Sequence, residues 1–357
     1  MIRLTHSSLS KDVAATVNTL ARKRLVDAKD IRSRWSPAQP TVAFDTYWRF
    51  AAERQAIFFR RMEQSEGPWT EDPILQRHKF TNVYRVSDRV SQFLIKHVIY
   101  EGDSTADELF FRIMLFKLFN KIDTWALLQR ECGPIGYTNY SFKEYGSVLS
   151  HAMNRGERIY SAAYIMPGGR RFFGHARKHQ NHLRLLEAMM KDGVAGTISR
   201  ATRMADAFDV LVSYPTIGNF LAYQFVTDIN YSTLTSFSEM EFVMPGPGAS
   251  DGIRKCFASL GGVTEPEIIL LMAQRQDEEF ERLGVQFQRL GNRRLQLIDC
   301  QNLFCEVDKY SRLAHPELNT PGRRTRIKQV FRQNPEPIEY WYPPKWDVGD
   351  VSQALPE

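Results

Sequence analysis

A mainly α fold is predicted by three observations. Apolar residues recur at three- and four-residue steps over much of the chain, as in Val83, Val86, Val90, Phe93 and His97, which is the period of one helix face. The stretch from Leu109 to Leu128 is apolar almost all round, as befits a helix at the centre of a core. Strand-like alternation is brief and scattered.

Taken in order, residues 11–34 read as a charged helix bearing Arg22, Lys23, Arg24, Lys29, Arg32 and Arg34, ended by Trp35-Ser36-Pro37. Residues 1–41 thus form a basic N-terminal arm. Amphipathic helices follow over 42–63 and 82–99, then the central helix Leu109–Leu128. Asn120, Lys121 and Asp123 interrupt the latter; they line a pocket mouth or simply cap the helix. Further helical patterns cover 143–154, 176–191, 197–212, 219–227, 265–283 and 297–312. The helical domain spans 42–332. From 333 the chain reads QNPEPIEYWYPPKWDVGDVSQALPE, a Pro- and aromatic-rich tail that cannot continue a helix and is expected to run along the surface. There is no internal repeat and no G-x-x-x-x-G-K-[ST] phosphate loop.

With 357 residues, 43% of them hydrophobic, the chain can bury a substantial core. Its 47 Lys and Arg against 41 Asp and Glu give a net charge of +6, a bias that suits a polyanionic partner without requiring one. Cys132, Cys256, Cys300 and Cys305 include no C-x-x-C pair, which argues against structural zinc or iron–sulfur. No cofactor or metal is expected. The N-terminus lacks the apolar run of a signal peptide, so the expectation is a soluble, cytoplasmic protein with no membrane contact and no obligatory protein partner.

The most informative stretch is VSYPTIGNFLAYQFVTDINYS, Val212 to Ser232. A Pro-Thr-Ile-Gly turn precedes a short helix, Asn219 to Val226, whose free N–H groups at Gly218 and Asn219 make a ready phosphate site. Asp228 follows, with Asn230 and Tyr231 beyond it, so a carboxylate is expected just past that helix. An ordinary helix-turn-helix corner capped by Asp228 fits the same spacing. DCQNLFCEVDKYSR places Glu306, Lys309 and Tyr310 within one helical turn, with Asp299, Asn302 and Asp308 nearby. A carboxylate beside a lysine can be held ionised, or the pair can be an exposed i,i+3 bridge.

GPGASDGIRK reads as a Gly-rich loop at a helix start, with Gly248, Arg254 and Lys255 suited to a phosphate; a plain turn capped by Asp251 is the alternative. GGRRFFGHARKHQNH gathers Arg170 and Arg171 around Phe172 and Phe173, a pattern for phosphate contact and base wedging, or for a solvated basic face. GRRTRIK, with Arg323 and Arg324, is another phosphate contact or a soluble surface.

Seven blocks in order resemble the alpha-glutamyl/putrescinyl thymine pyrophosphorylase family and the helical domain of 5-hydroxymethyl-deoxyuridine DNA kinases. They are YWRFAAERQAIFFRR, FTNVYRVSDRV, FFRIMLFKLFNKIDTW, AAYIM, PTIGNFLAYQFVTDINYS, GPGASDGIRKCF and DCQNLFCEVDKYSR. The core also resembles helix-hairpin-helix DNA glycosylases, with Thr216 standing where their motif has its first glycine. The resemblance implies a helical, glycosylase-like architecture acting on modified DNA of phages or of bacteria that contend with them. The expectation drawn from it is a monofunctional glycosylase that flips out a modified pyrimidine and leaves an abasic site. Asp228 then stabilises the sugar cation with Glu306 or Asp308 assisting, and Tyr164, Gln224, Asn230, Tyr231, Asn302, Lys309 and Tyr310 hold the base. One alternative is transfer of an amino acid or polyamine onto activated 5-hydroxymethyluracil, with pyrophosphate held by Arg254, Lys255, Arg170 and Arg171. A second is a non-catalytic reader of modified DNA.

Overall fold

The computed structural model describes residues 37–64, 66–319, 322, 324–334 and 338–349. The expected helix 11–34, most of the N-terminal arm and the end of the tail lie outside the described residues. Along the chain run β1 (Gln39–Pro40), α1 (Val42–Glu63), α2 (Pro73–Arg77), α3 (Arg89–Phe93), α4 (Ala106–Phe119), α5 (Ile122–Cys132), α6 (Phe142–Asn154), α7 (Arg170–Phe173) and α8 (Lys178–Lys191). Then follow α9 (Val194–Ser199), α10 (Met204–Val212), α11 (Asn219–Ile229), α12 (Pro247–Cys256), β2 (Phe257–Ser259), α13 (Glu265–Arg282) and α14 (Leu297–Ala314). The fold is mainly α. Its one sheet among the described residues pairs β1 antiparallel with β2. No described helix is long and apolar enough to cross a membrane. The described chain divides into two compact units, one of residues 90–241 and one of residues 37–89 with 242–349.

In the first unit α4 is the core, with Phe110, Phe111, Ile113 and Met114 fully buried. The apolar run Leu109–Leu128 is two helices, because Asn120 ends α4 in a left-handed conformation (φ 49°), which asparagine tolerates better than most residues. Two cations are buried inside this apolar helix, and each has internal partners. Arg112 donates to the carbonyls of Val98 (2.9 Å) and Asp103 (2.7 Å), satisfying the end of the π-helical turn Leu94–Ile99 into which α3 runs. Lys117 reaches Asp228, as described below. The expected single helix 197–212 is likewise split into α9 and α10.

The histidines of α8 are core hydrogen-bonding groups. His182 holds the Tyr160 hydroxyl at 3.0 Å and the Pro167 carbonyl at 2.8 Å, and burial pushes its pKa down to about 4. His179 is shifted the same way. A folded-state pKa below the unfolded value means that the unfolded chain takes up the proton first as pH falls. Stability from His182 is therefore complete above about pH 6.5 and is lost towards pH 4, by up to about 3 kcal/mol. Urea unfolding at pH 7 and pH 4.5 should show this loss, and His182→Gln should flatten it; equal pH slopes for the two proteins would contradict the assignment.

In the second unit α1 carries the aromatic core: Tyr47 packs on Phe304 (4.7 Å) and donates to the Cys300 carbonyl (3.1 Å), and Trp48 meets Phe280 edge-on at 5.2 Å. Thr41 caps α1 through Ala43 N at 3.1 Å. Two short segments pair across the unit, with Lys79 N on Gln329 O (3.0 Å) and Phe331 N on Arg77 O (2.9 Å). The described part of the tail folds back here, its Tyr342 buried with the hydroxyl 3.0 Å from Ser87 Oγ.

Candidate functional site

The hairpin before α11 is built differently from its sequence signature. Gly218 is the N-cap of α11 in extended backbone (φ −85°) that any residue adopts. The left-handed residue of the turn is Thr216, φ 72°, the position at which the resembled motif has glycine. A β-branched side chain there is a genuine outlier, and such strain marks a backbone held by its surroundings. α11 has no side-chain cap, and Gly218 and Asn219 are exposed, so its first N–H groups face solvent.

Asp228 lies inside the last turn of α11, not beyond it, and is fully buried. Its Oδ2 pairs with Lys117 Nζ at 2.9 Å. Lys117 also donates to Asn120 Oδ1 (2.8 Å) and lies over the Tyr164 ring, 4.6 Å from its centroid. Tyr164 has φ 55° and stacks on Phe220 at 5.9 Å. Sequence reasoning missed Lys117 as the partner of Asp228 and missed Phe220; the signal for Lys117 was an ammonium inside the most apolar helix, where a charge needs a counter-charge.

Gln224, Asn230 and Tyr231 are buried as well. Asn230 clamps the turn after α11, accepting from Thr235 Oγ1 and Phe237 N at 2.9 Å each and donating to Phe237 O at 3.1 Å. What the unit presents outward is the loop beside the hairpin. Ile165 is 71% and Phe172 56% exposed. Arg170 and Arg171 are exposed and make no ion pair among the described residues. A Cβ on Gly169 would lie 3.5 Å from Thr216 Cγ2, so this loop and the turn before α11 share one surface.

The second unit holds the other expected site residues. On α14, Asp299, Asn302, Glu306 and Tyr310 fall at steps of three and four and make one polar stripe. Asp299 accepts from Arg85 N at 3.0 Å, Asn302 donates to Thr81 Oγ1 at 2.9 Å, and Glu306 accepts from Thr81 N at 3.0 Å. Tyr310 donates to Asp72 at 2.6 Å, and Lys309 bridges to Glu306 at 2.7 Å over the Phe80 ring. The stripe therefore fixes the segment 72–85 against α14. Asp308 pairs with Lys255 at 3.0 Å and with Arg312.

Lys255 is buried on Asp308 and Asn319, which removes it from any phosphate-facing surface. Arg254 is engaged by Asp251 and Glu265. The glycines of GPGASDGIRK serve packing: Gly248 and Gly252 lie against α14 at Cys305 and Phe304. Arg324 is exposed and Arg323 lies outside the described residues.

These features define a mainly α protein in which Asp228, Glu306 and Asp308 are bound to internal cations and backbone, while an uncapped helix end and a basic, apolar loop face outward. The chain belongs to the family of the 5-hmdU DNA kinase helical domain, whose model matches residues 41–320. A 5-hmdU DNA kinase of Bacillus phage SP10 is 24% identical over 329 residues, covering 85% of this chain and 50% of the relative. The chain thus spans about half the length of that curated relative. No solved structure matches it. The family and the relative are those of a kinase, which overturns the expected glycosylase and its hydrolytic chemistry; transfer of an amino acid or polyamine and a purely non-catalytic reader gain no support either.

Proposed function

We propose that this chain acts in the phosphorylation of 5-hydroxymethyl-deoxyuridine in DNA and supplies the surface that engages the DNA. The observation that carries the reading is the pairing of exposed Ile165, Arg170, Arg171 and Phe172 with the uncapped start of α11 on one surface of the first unit. Helix N–H groups and arginines bind backbone phosphates and set register. Ile165 and Phe172 offer apolar contacts to bases. The acceptor hydroxyl sits on the methylene attached to C5, in the place of the thymine methyl at the major-groove edge. A kinase therefore reaches its reacting oxygen there with the glycosidic bond untouched.

Fluorescence anisotropy with matched duplexes carrying 5-hydroxymethyluracil or thymine tests this. The modified duplex should bind about tenfold more tightly, the effect of one well-placed polar contact. Arg170→Ala with Arg171→Ala should weaken both and reduce the slope of log K against log salt by about 2. Equal affinity for the two duplexes, or an unchanged salt slope, defeats the reading.

A further inference from the structure

The second unit contains a cavity of about 590 Å³ between α1 and residues 331–334, 338 and 340, a size typical of small-molecule sites. Its wall carries five cations, Arg54, Arg61, Lys79, Arg89 and Arg332, against one carboxylate, Asp88. Arg54 is only 8% exposed. Its Nη2 donates to Asn82 Oδ1 at 2.7 Å, while the buried Nη1 has no hydrogen-bond partner among the described residues. A guanidinium withdrawn from water with donors unmet is costly unless an anion completes it. Asp88 attracts Arg54 without contacting it: its carboxyl is spent on Asn82 N at 2.8 Å, forms no direct salt bridge with Arg54, and is pushed by burial up to about 6 against the pull of that guanidinium.

The cavity is also lined by rings, Trp69, Phe80, Phe331 and Tyr340. Arg61 lies 4.9 Å from the Trp69 centroid and 5.8 Å from that of Phe331. Cations beside aromatic surface match a ligand with a phosphate at one end and a flat ring at the other. The wall is positioned, too: Asn302 and Glu306 hold Thr81, whose neighbour Asn82 orients Arg54. The polar stripe of α14 thereby gains a use that its own internal hydrogen bonds do not reveal.

We infer that this cavity binds a nucleotide, with a phosphate completing Arg54 Nη1 and the base lying among the rings. The shared chemistry is a phosphorylated nucleoside, whether free or as one unit of a DNA strand. The inference does not rest on the DNA-facing surface of the first unit. Isothermal titration of the full chain with ATP and with 5-hydroxymethyl-dUMP should give a Kd below about 1 mM for at least one. Arg54→Gln should weaken it about tenfold or more by removing a charge-assisted bond. Arg332→Gln, on an exposed residue, should weaken it about threefold, and Asp88→Asn should tighten it by a similar factor.

The two milder variants keep the test decisive if Arg54→Gln fails to fold. A single-stranded 5-hydroxymethyluracil oligonucleotide that displaces the bound nucleotide assigns the site to the strand; one that leaves it in place assigns it to a free nucleotide. No binding of either nucleotide up to about 5 mM, or affinities unchanged in every variant, overturns the proposal. Either result leaves duplex discrimination through Arg170 and Arg171 untouched, so the two readings fail separately.

Discussion

Gly252→Ala is expected to destabilise the second unit by about 3 kcal/mol or more, the upper range for overpacking. A Cβ at Gly252 would lie 2.0 Å from the Phe304 carbonyl oxygen and 2.6 Å from its carbon. Both are backbone atoms of α14, so no rotamer change relieves the overlap and the helices must move apart. In an isolated helix the same substitution would help by about 1 kcal/mol; here contact decides the sign. Separating α12 from α14 would also disturb Tyr47 on Phe304 and the buried Lys255–Asp308 pair. Gly248→Ala is the control, since its nearest contact is the Cys305 Sγ at 3.1 Å, a side-chain end that can turn, and it should cost about 1 kcal/mol or less. Urea unfolding monitored by circular dichroism measures both. A Gly252→Ala protein within about 1 kcal/mol of the parent, a surface-like effect, would mean that α12 and α14 are not in this contact.

The mainly α class and most helix positions were legible because helical periodicity is a local property of the sequence. Breaks were less so. Leu109–Leu128 looks continuous in hydrophobicity, and only the left-handed geometry at Asn120 divides it. The site residues were read as chemistry because they are polar, yet polarity alone does not say which way a side chain faces. Asp228, Glu306 and Asp308 all turned out to have internal partners contributed from far along the chain, and long-range pairing has no signature in spacing. The loop Ile165–Phe173 was legible in its arginines, while the exposure of Ile165 was not. Arg54, which anchors the cavity, sits within an apolar face of α1 and gives no motif at all. The family resemblance was legible from ordered blocks, but the choice of glycosylase chemistry over transfer leaned on an Asp placed beyond α11, and the helix instead encloses it.

Breaking the Lys117–Asp228 pair is expected to cost the first unit about 3–5 kcal/mol, the penalty for leaving one buried charge without its partner. Both groups are nearly inaccessible, at 3% and 0% exposed, so water cannot rescue the survivor. Lys117→Met removes the counter-charge of the carboxylate, and Asp228→Asn removes that of the ammonium while keeping the shape. The double change Lys117→Met with Asp228→Leu removes both charges at similar volume and should recover at least about 2 kcal/mol relative to the sum of the single variants. The pair also reaches the surface. Lys117 lies over Tyr164, whose φ of 55° is strained and which directly precedes exposed Ile165. Losing the ammonium should release that ring and loosen the loop, so the double variant should regain stability without regaining duplex affinity. Additive losses in the double-mutant cycle would show that the two charges do not depend on each other. Full duplex binding by a folded double variant would show that the pair stabilises the unit but does not position the DNA-facing loop.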